Sequence, residues 1–156
     1  LCSRIDSKKP SSKIKKYLEE EAGHFKDMKV FNQFNKKIIE IKHKVLNEIN
    51  QDISEGKRVA AYGATAKAFT MFSFLDIDAD TIEYCVDTTP TKIKKYFPGL
   101  GIKVISEEEF KEVDADTILV TAWNYKEHII SKSRNIFSKK TKLIFPLPEF
   151  DIHIVD

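Results

Sequence analysis

The segment GKRVAAYGATAK, residues 56 to 67, places a short apolar run before a single glycine and a helix-forming stretch after it. That arrangement suits the holding of an anion. Arg58 to Tyr62 read as a β-type run, Gly63 as a tight turn that a Cβ would hinder, and Ala64 to Phe74 as the helix that follows. The backbone N–H groups of Thr65, Ala66 and Lys67 then fall in the first turn of a helix, where open donors and the helix dipole favour negative charge. Lys67 brings a full positive charge beside them. A plain structural turn fits the same residues. Only the first glycine of the dinucleotide fingerprint is present, with Thr65 and Ala68 where the second and third would fall.

Other residue types suited to binding recur at the ends of apolar runs. Thr81 to Val86 read as a second strand that ends at Asp87, about where an acidic residue follows the glycine turn in dinucleotide folds. Asp87 suits the reading of a ribose or sugar hydroxyl, and equally the capping of a turn through Thr88, Thr89 and Pro90. Trp123, Asn124 and Tyr125 follow a third such run. There Asn124 is placed to cap a helix, and Trp123 either to stack on a base or sugar or to cover the sheet end. Pro146 and Pro148 close the last run and hold Glu149 near the same edge.

Catalytic groupings are sparse. His24, His43, His128 and His153 are scattered, and the run Glu107 to Glu109 sits at a helix start, where the dipole explains it without chemistry. Nothing pairs a nucleophile with a base, and the signatures of kinases and zinc proteases are missing. Cys2 and Cys85 are the only cysteines, so neither a zinc site nor a disulfide framework is available, and Cys85 reads as a small core residue.

The elements that must position these residues are legible from periodicity. Beyond the first two strands, Ile102 to Ile105, Asp116 to Ala122 and Lys142 to Leu147 are apolar runs. Helical stretches separate them: Ser106 through Phe110, and Asn124 to Phe137. Continuous apolar runs alternating with helices predict a parallel sheet buried on both faces. The strand ends at Gly63, Asp87 and Trp123 should gather along one edge, where open α/β sheets bind ligands.

The first third differs. Phe31, Phe34, Ile38, Ile41, Val45 and Ile49 recur at three- and four-residue spacing, the stripe of one long helix from about Phe25 to Ile53, with Gly56 placed to end it. The stripe is expected to pack on its own α/β domain. A coiled coil is the other reading, although Glu48 interrupts the heptad. Ser11 or Ser12 starts a shorter helix, Lys13 to Ala22.

Composition fits one compact domain with an added element, since 42% of the 156 residues are hydrophobic. The net charge of +2, from 26 basic and 24 acidic residues, gives no strong field for nucleic acid or membrane. No apolar run approaches the ~18 residues of a membrane span and no signal peptide is legible, so a cytoplasmic location is the default expectation. The chain starts at Leu1 rather than Met, which suggests one domain of a longer polypeptide.

The order of the blocks YGATAKAF, YCVDTTPTKIKKYFPGLGIKV, LVTAWNYKEHI and KLIFPLPE resembles the C-terminal Rossmann-like domain of the sugar C-methyltransferases, from about Ser11 to Glu149. In that family a small zinc-binding N-terminal domain and a central S-adenosylmethionine domain precede this one, and the enzyme methylates a carbon of a nucleotide-linked deoxysugar. The resemblance implies that the domain holds the nucleotide-linked sugar. By motif position Gly63, Ala64, Thr65, Ala66 and Lys67 would carry the loop, and Asp87 and Lys92 the turn after the second strand. Pro98 and Gly99 would carry the next turn, and Trp123, Asn124, Pro146 and Glu149 the remaining edge. No zinc cluster, no second strand-glycine-helix unit for S-adenosylmethionine and no catalytic group is present, and Ala68 stands where the family often has glycine.

The expected architecture is therefore an α/β, Rossmann-like three-layer sandwich with a mostly parallel five-stranded sheet. A helical extension, residues 1–55, packs on the core, the α/β domain covers 56–150, and a tail covers 151–156. The expected role is orientation and binding of substrate, without methyl transfer by this domain alone and without a cofactor of its own. A stand-alone NAD- or CoA-binding regulatory domain is the rival reading, and a structural module using the Phe31 to Ile49 stripe as an interface is the third.

Overall fold

The computed structural model describes residues 11–137 and 140–155. Two compact units divide the chain between Glu40 and Ile41. In the first, α1 (Ser12–His24) is followed by the opening turns of α2 (Met28–Ser54), and the rings of Phe25 and Phe31 meet at 5.9 Å. Large apolar side chains are exposed in this unit, among them Leu18 at 59% and Phe34 at 66%.

The second unit holds the rest of α2 and a six-stranded sheet in the order β3-β2-β1-β4-β5-β6. Its strands are β1 (Val59–Tyr62), β2 (Tyr84–Val86), β3 (Lys103–Ile105), β4 (Thr117–Val120), β5 (Thr141–Phe145) and β6 (Asp151–Val155). The first five run parallel and β6 is antiparallel to β5. The expectation of five strands is thus one short. Residues 151–155, read from sequence as a tail, alternate polar Asp151 and His153 with Ile152 and Ile154 and pair along the whole of β5. Burial does not follow that alternation, since Ile154 is 43% exposed and Val155, on the face of Asp151 and His153, is buried.

Period-two alternation divides the core into two layers. Val59 and Ala61 of β1 face Val45 and Ile49 of α2 and Ala68, Phe72 and Leu75 of α3 (Ala66–Leu75). Ala60 faces the other way, with Ile118, Val120 and Leu143, toward Phe110 of α4 (Glu107–Val113) and Ile129 and Ile136 of α5 (Lys126–Ile136). Helices on both faces of a mostly parallel sheet make the expected Rossmann-like three-layer sandwich. The strands are shorter than the apolar runs, because only the residues in register with a neighbour join the ladder: Thr81, Ile82 and Ile102 are buried or half-buried connections and Glu83 an exposed one.

At α2's C-terminus, Gly56 adopts φ 74° and the Lys57 amide donates to the Asp52 carbonyl at 2.9 Å, a closing turn that suits glycine. Asp52 itself is only 1% exposed. Its carboxylate accepts from the Thr117 hydroxyl at 2.7 Å and Lys57 at 3.0 Å and pairs with Lys142 at 2.5 Å, joining α2 to the starts of β4 and β5. Lys142 also reaches Glu48 at 2.8 Å. Among the described residues no helix is long and apolar enough to cross a membrane.

Candidate functional site

The strand order reverses between β1 and β4, so the chain leaves a crevice at the carboxyl ends of those strands. Gly63 stands at its floor with φ 104°, its amide donating to the Val86 carbonyl of β2 at 2.7 Å. A Cβ at this position would lie 2.6 Å from the Ala122 Cβ, so only glycine lets β1 and β4 end this close together. The Thr121 hydroxyl donates to the carbonyl oxygens of Tyr62, at 3.0 Å, and of Gly63.

Thr65 is the N-cap of α3: its hydroxyl accepts from the Ala68 amide at 3.1 Å, and its own amide donates to the Gly63 carbonyl at 2.8 Å. This corrects the expectation of three open amides. Thr65 is already paired, and the two first-turn amides without an intrahelical acceptor are those of Ala66 and Lys67. Ala64 is buried behind them. The Lys67 ammonium lies 4.8 Å from the centre of the Trp123 ring, so these two residues meet as a cation–π pair.

At the end of β2, Asp87 is 7% exposed. One carboxylate oxygen accepts from the Thr89 amide at 2.8 Å and the other from Lys92 at 3.3 Å. Asp87 closes its own turn and lines the crevice. Nearby, the Tyr62 hydroxyl donates to Glu107 at 2.5 Å. Burial, then the Glu107 carboxylate, and then the charge of Asp87 push this phenol well above its usual range. It is a fixed donor rather than a base.

The crevice encloses about 440 Å³ and is lined by Tyr62, Gly63, Thr65, Asp87 and Lys92 on the β1–β2 side and by Tyr125, His128 and Lys132 on the α5 side. That volume falls within the ~300–1,000 Å³ of small-molecule sites. Sequence reasoning set His128 aside and did not single out Lys132. A four-residue spacing on the helix after β4 was the available signal, because it puts both on one face, directed here by the burial of Ile129. Lys132 and Lys92 are the two lysines of this lining, and Lys92 is paired with Asp87 at 3.3 Å.

Four expected residues lie on other parts of this edge. Asn124 is exposed in a short 3-10 turn, Trp123–Tyr125, and α5 has Tyr125 as its N-cap without a side-chain bond, so Asn124 does not cap the helix. Trp123 is half-buried beside it. Pro146 is buried just past β5 and Glu149 is exposed in the turn to β6. Pro98 and Gly99 are not brought to the crevice. Their turn closes through a Phe97 amide bond to the Ile102 carbonyl at 2.9 Å, at the start of β3 and thus at the opposite end of the sheet.

Cys85 is fully buried, and burial pushes its thiol far up. Among the described residues no group of three or more His, Cys, Asp or Glu side chains could hold a metal ion.

The C-methyltransferase NovU of Streptomyces niveus is 33% identical over 97 residues, which are 62% of this chain and 23% of that protein. The chain therefore spans about a quarter of the length of this relative. The crystal structure of UDP-D-quinovosamine 4-dehydrogenase from Vibrio fischeri superposes with a TM-score of 0.43 at 18% identity, over 64% of this chain and 93% of that one. The sequence profile of the C-methyltransferase C-terminal domain matches residues 1–148. With nearly its whole length covered by that profile, the chain belongs to the family of C-methyltransferase C-terminal domains.

Proposed function

We propose that this domain holds a nucleotide-linked sugar for an S-adenosylmethionine-dependent C-methyltransferase, whose zinc-binding and methyl-transferring parts are separate domains of a longer enzyme. The observation that carries the reading is the crevice at the carboxyl ends of β1, β2 and β4, where Lys92 and Lys132 converge beside the N-terminus of α3. A nucleotide diphosphate is the anion such a place favours. Tyr62 and Tyr125 add ring surface for a base or sugar.

The same residues do not fit S-adenosylmethionine. Its sulfonium would face Lys92 and Lys132, and the Asp87 carboxylate, the group suited to its ribose, is engaged by Thr89 and Lys92. Proton removal next to a sugar keto group and attack of the carbanion on the methyl donor would fall to the other domains. This one supplies position, and a well-placed substrate lowers the barrier by sparing the entropy of alignment.

Titration calorimetry tests the reading. Thymidine diphosphate, a thymidine-diphosphate sugar, NAD, CoA and S-adenosylmethionine are offered in turn, and any hit is repeated with Lys67→Ala, Asp87→Ala and Lys132→Ala. The nucleotide sugar is expected to bind selectively, with Kd raised about tenfold by Lys132→Ala, the worth of one charge-assisted phosphate contact. Selective binding of NAD or CoA would make this a regulatory dinucleotide domain instead, and silence with every ligand would remove the crevice as a binding site.

A further inference from the structure

We propose that the N-terminal helical unit is a self-association surface, in which α1 pairs antiparallel with α1 of a second copy of this chain about a two-fold axis. The first observation is exposed apolar area. Ile14, Tyr17, Leu18, Met28, Phe31 and Phe34 are between 46% and 67% exposed. At ~200 Å² for a large side chain, these six leave on the order of 700 Å² in water within one small unit. That exceeds the ~300–600 Å² of the largest patch on a typical monomer and approaches the ~800 Å² that each partner gives to a stable interface. Spacing groups them. Ile14, Leu18 and, between them, Tyr17 form one stripe of α1, and Met28, Phe31 and Phe34 one stripe of α2.

The second observation is the charge pattern of α1, which says what covers the stripe. Lys13, Lys15 and Lys16 occupy the first turns, and Glu19, Glu20 and Glu21 the later ones. For an isolated helix this order is unfavourable, because carboxylates belong near the N-terminus and ammonium groups near the C-terminus. The ion pair of Lys16 with Glu20 in α1, at 3.7 Å, also runs in the weaker direction and is open to solvent on both sides. An antiparallel copy centred on Leu18 reverses the sense of every term. It sets Lys15 opposite Glu21 and Lys16 opposite Glu20 on both sides of the axis, and brings Leu18 against Leu18. A parallel copy would set lysine against lysine. The local cost in the lone helix and the match in the antiparallel pair point to the same partner.

Sedimentation equilibrium of the full chain, from micromolar to near-millimolar concentration, tests this. A monomer–dimer equilibrium is expected, with the dimer dissociation constant raised at least about tenfold by Leu18→Glu. That side chain is exposed, so far-UV circular dichroism should be unchanged. Two charge variants then test the orientation. Lys15→Glu with Lys16→Glu makes α1 acidic but for Lys13, and Glu20→Lys with Glu21→Lys makes it basic but for Glu19. Each alone should be monomeric, and an equimolar mixture should form a heterodimer that salt weakens. A wild-type chain that stays monomeric over the whole range would overturn the proposal and leave the face to another domain or another protein. Charge variants that each dimerise like the wild type would overturn the antiparallel pairing.

Discussion

Replacing Lys142 by methionine should destabilise this domain by about 3 kcal/mol at neutral pH, and by much less in acid. Asp52 is almost wholly buried, and three donors hold its charge: Lys142 at 2.5 Å, the Thr117 hydroxyl at 2.7 Å and Lys57 at 3.0 Å. Burial works against the ionised carboxyl, but these bonds outweigh it and keep the group below its ordinary value. A carboxyl depressed in the folded state contributes stability above its unfolded value of roughly 3.9, and that contribution is lost as pH falls through the folded value. Removing one partner of a buried pair costs about 3–5 kcal/mol, since the remaining charge is left uncompensated. The low end applies because Lys57 and Thr117 remain, although the Lys57 side chain is 42% exposed and screened by water.

In the variant, burial is no longer outweighed, so the carboxyl shifts upward and protonates more readily as pH drops. The deficit should therefore shrink on acidification, the opposite of the wild-type trend. Urea unfolding followed by the fluorescence of Trp123, the one tryptophan in the chain, at about pH 7 and about pH 4 measures both quantities. Adding Asp52→Asn to the variant removes the orphaned charge and should restore most of the loss. A deficit under ~1 kcal/mol at neutral pH, or one that is equal at the two pH values, would refute the account of this cluster.

Gly63→Ala should lose about 3 kcal/mol from two causes, the φ of 104° and the approach of its Cβ to Ala122 at 2.6 Å. Adding Ala122→Gly should recover the steric part alone, which a double-mutant cycle by urea unfolding would show. Ser106→Ala breaks a capping box by removing the hydroxyl that accepts from the Glu109 amide at 3.1 Å, while the Ser106 amide can still donate to the Glu109 carboxylate, also at 3.1 Å. It should cost about 1 kcal/mol in the same assay and leave ligand binding unchanged, since α4 enters the crevice region only through Glu107.

The sequence alone determined the elements whose cause is local. The alternation of apolar runs with helices, Gly63 between a strand and a helix, Ser106 with Glu109, and Gly56 after the long stripe each rest on the conformational preferences of a few adjacent residues. They appear in the structure with bounds within about three residues of those expected. Along the apolar stripe, Val45 and Ile49 are buried in the core, whereas Phe31 and Phe34 are exposed. Spacing shows that a face is apolar but not what covers it. The sixth strand was missed because a five-residue edge strand after two prolines gains its stability from β5 rather than from itself.

Only the tertiary structure decided which candidates share a site. Asp87 and Lys92 are five residues apart, but their meeting with Lys132 depends on β2 and β4 flanking β1, a pairing across the crossover that no local pattern encodes. The same holds for Pro98 and Gly99, which seemed to belong to the ligand edge and lie at the opposite end of the sheet. Local propensity acts through a chain's neighbours in sequence, whereas a binding site is an accident of which strand ends the fold brings side by side. That is why the loop was legible in GATAK and the α5 wall of His128 and Lys132 was not.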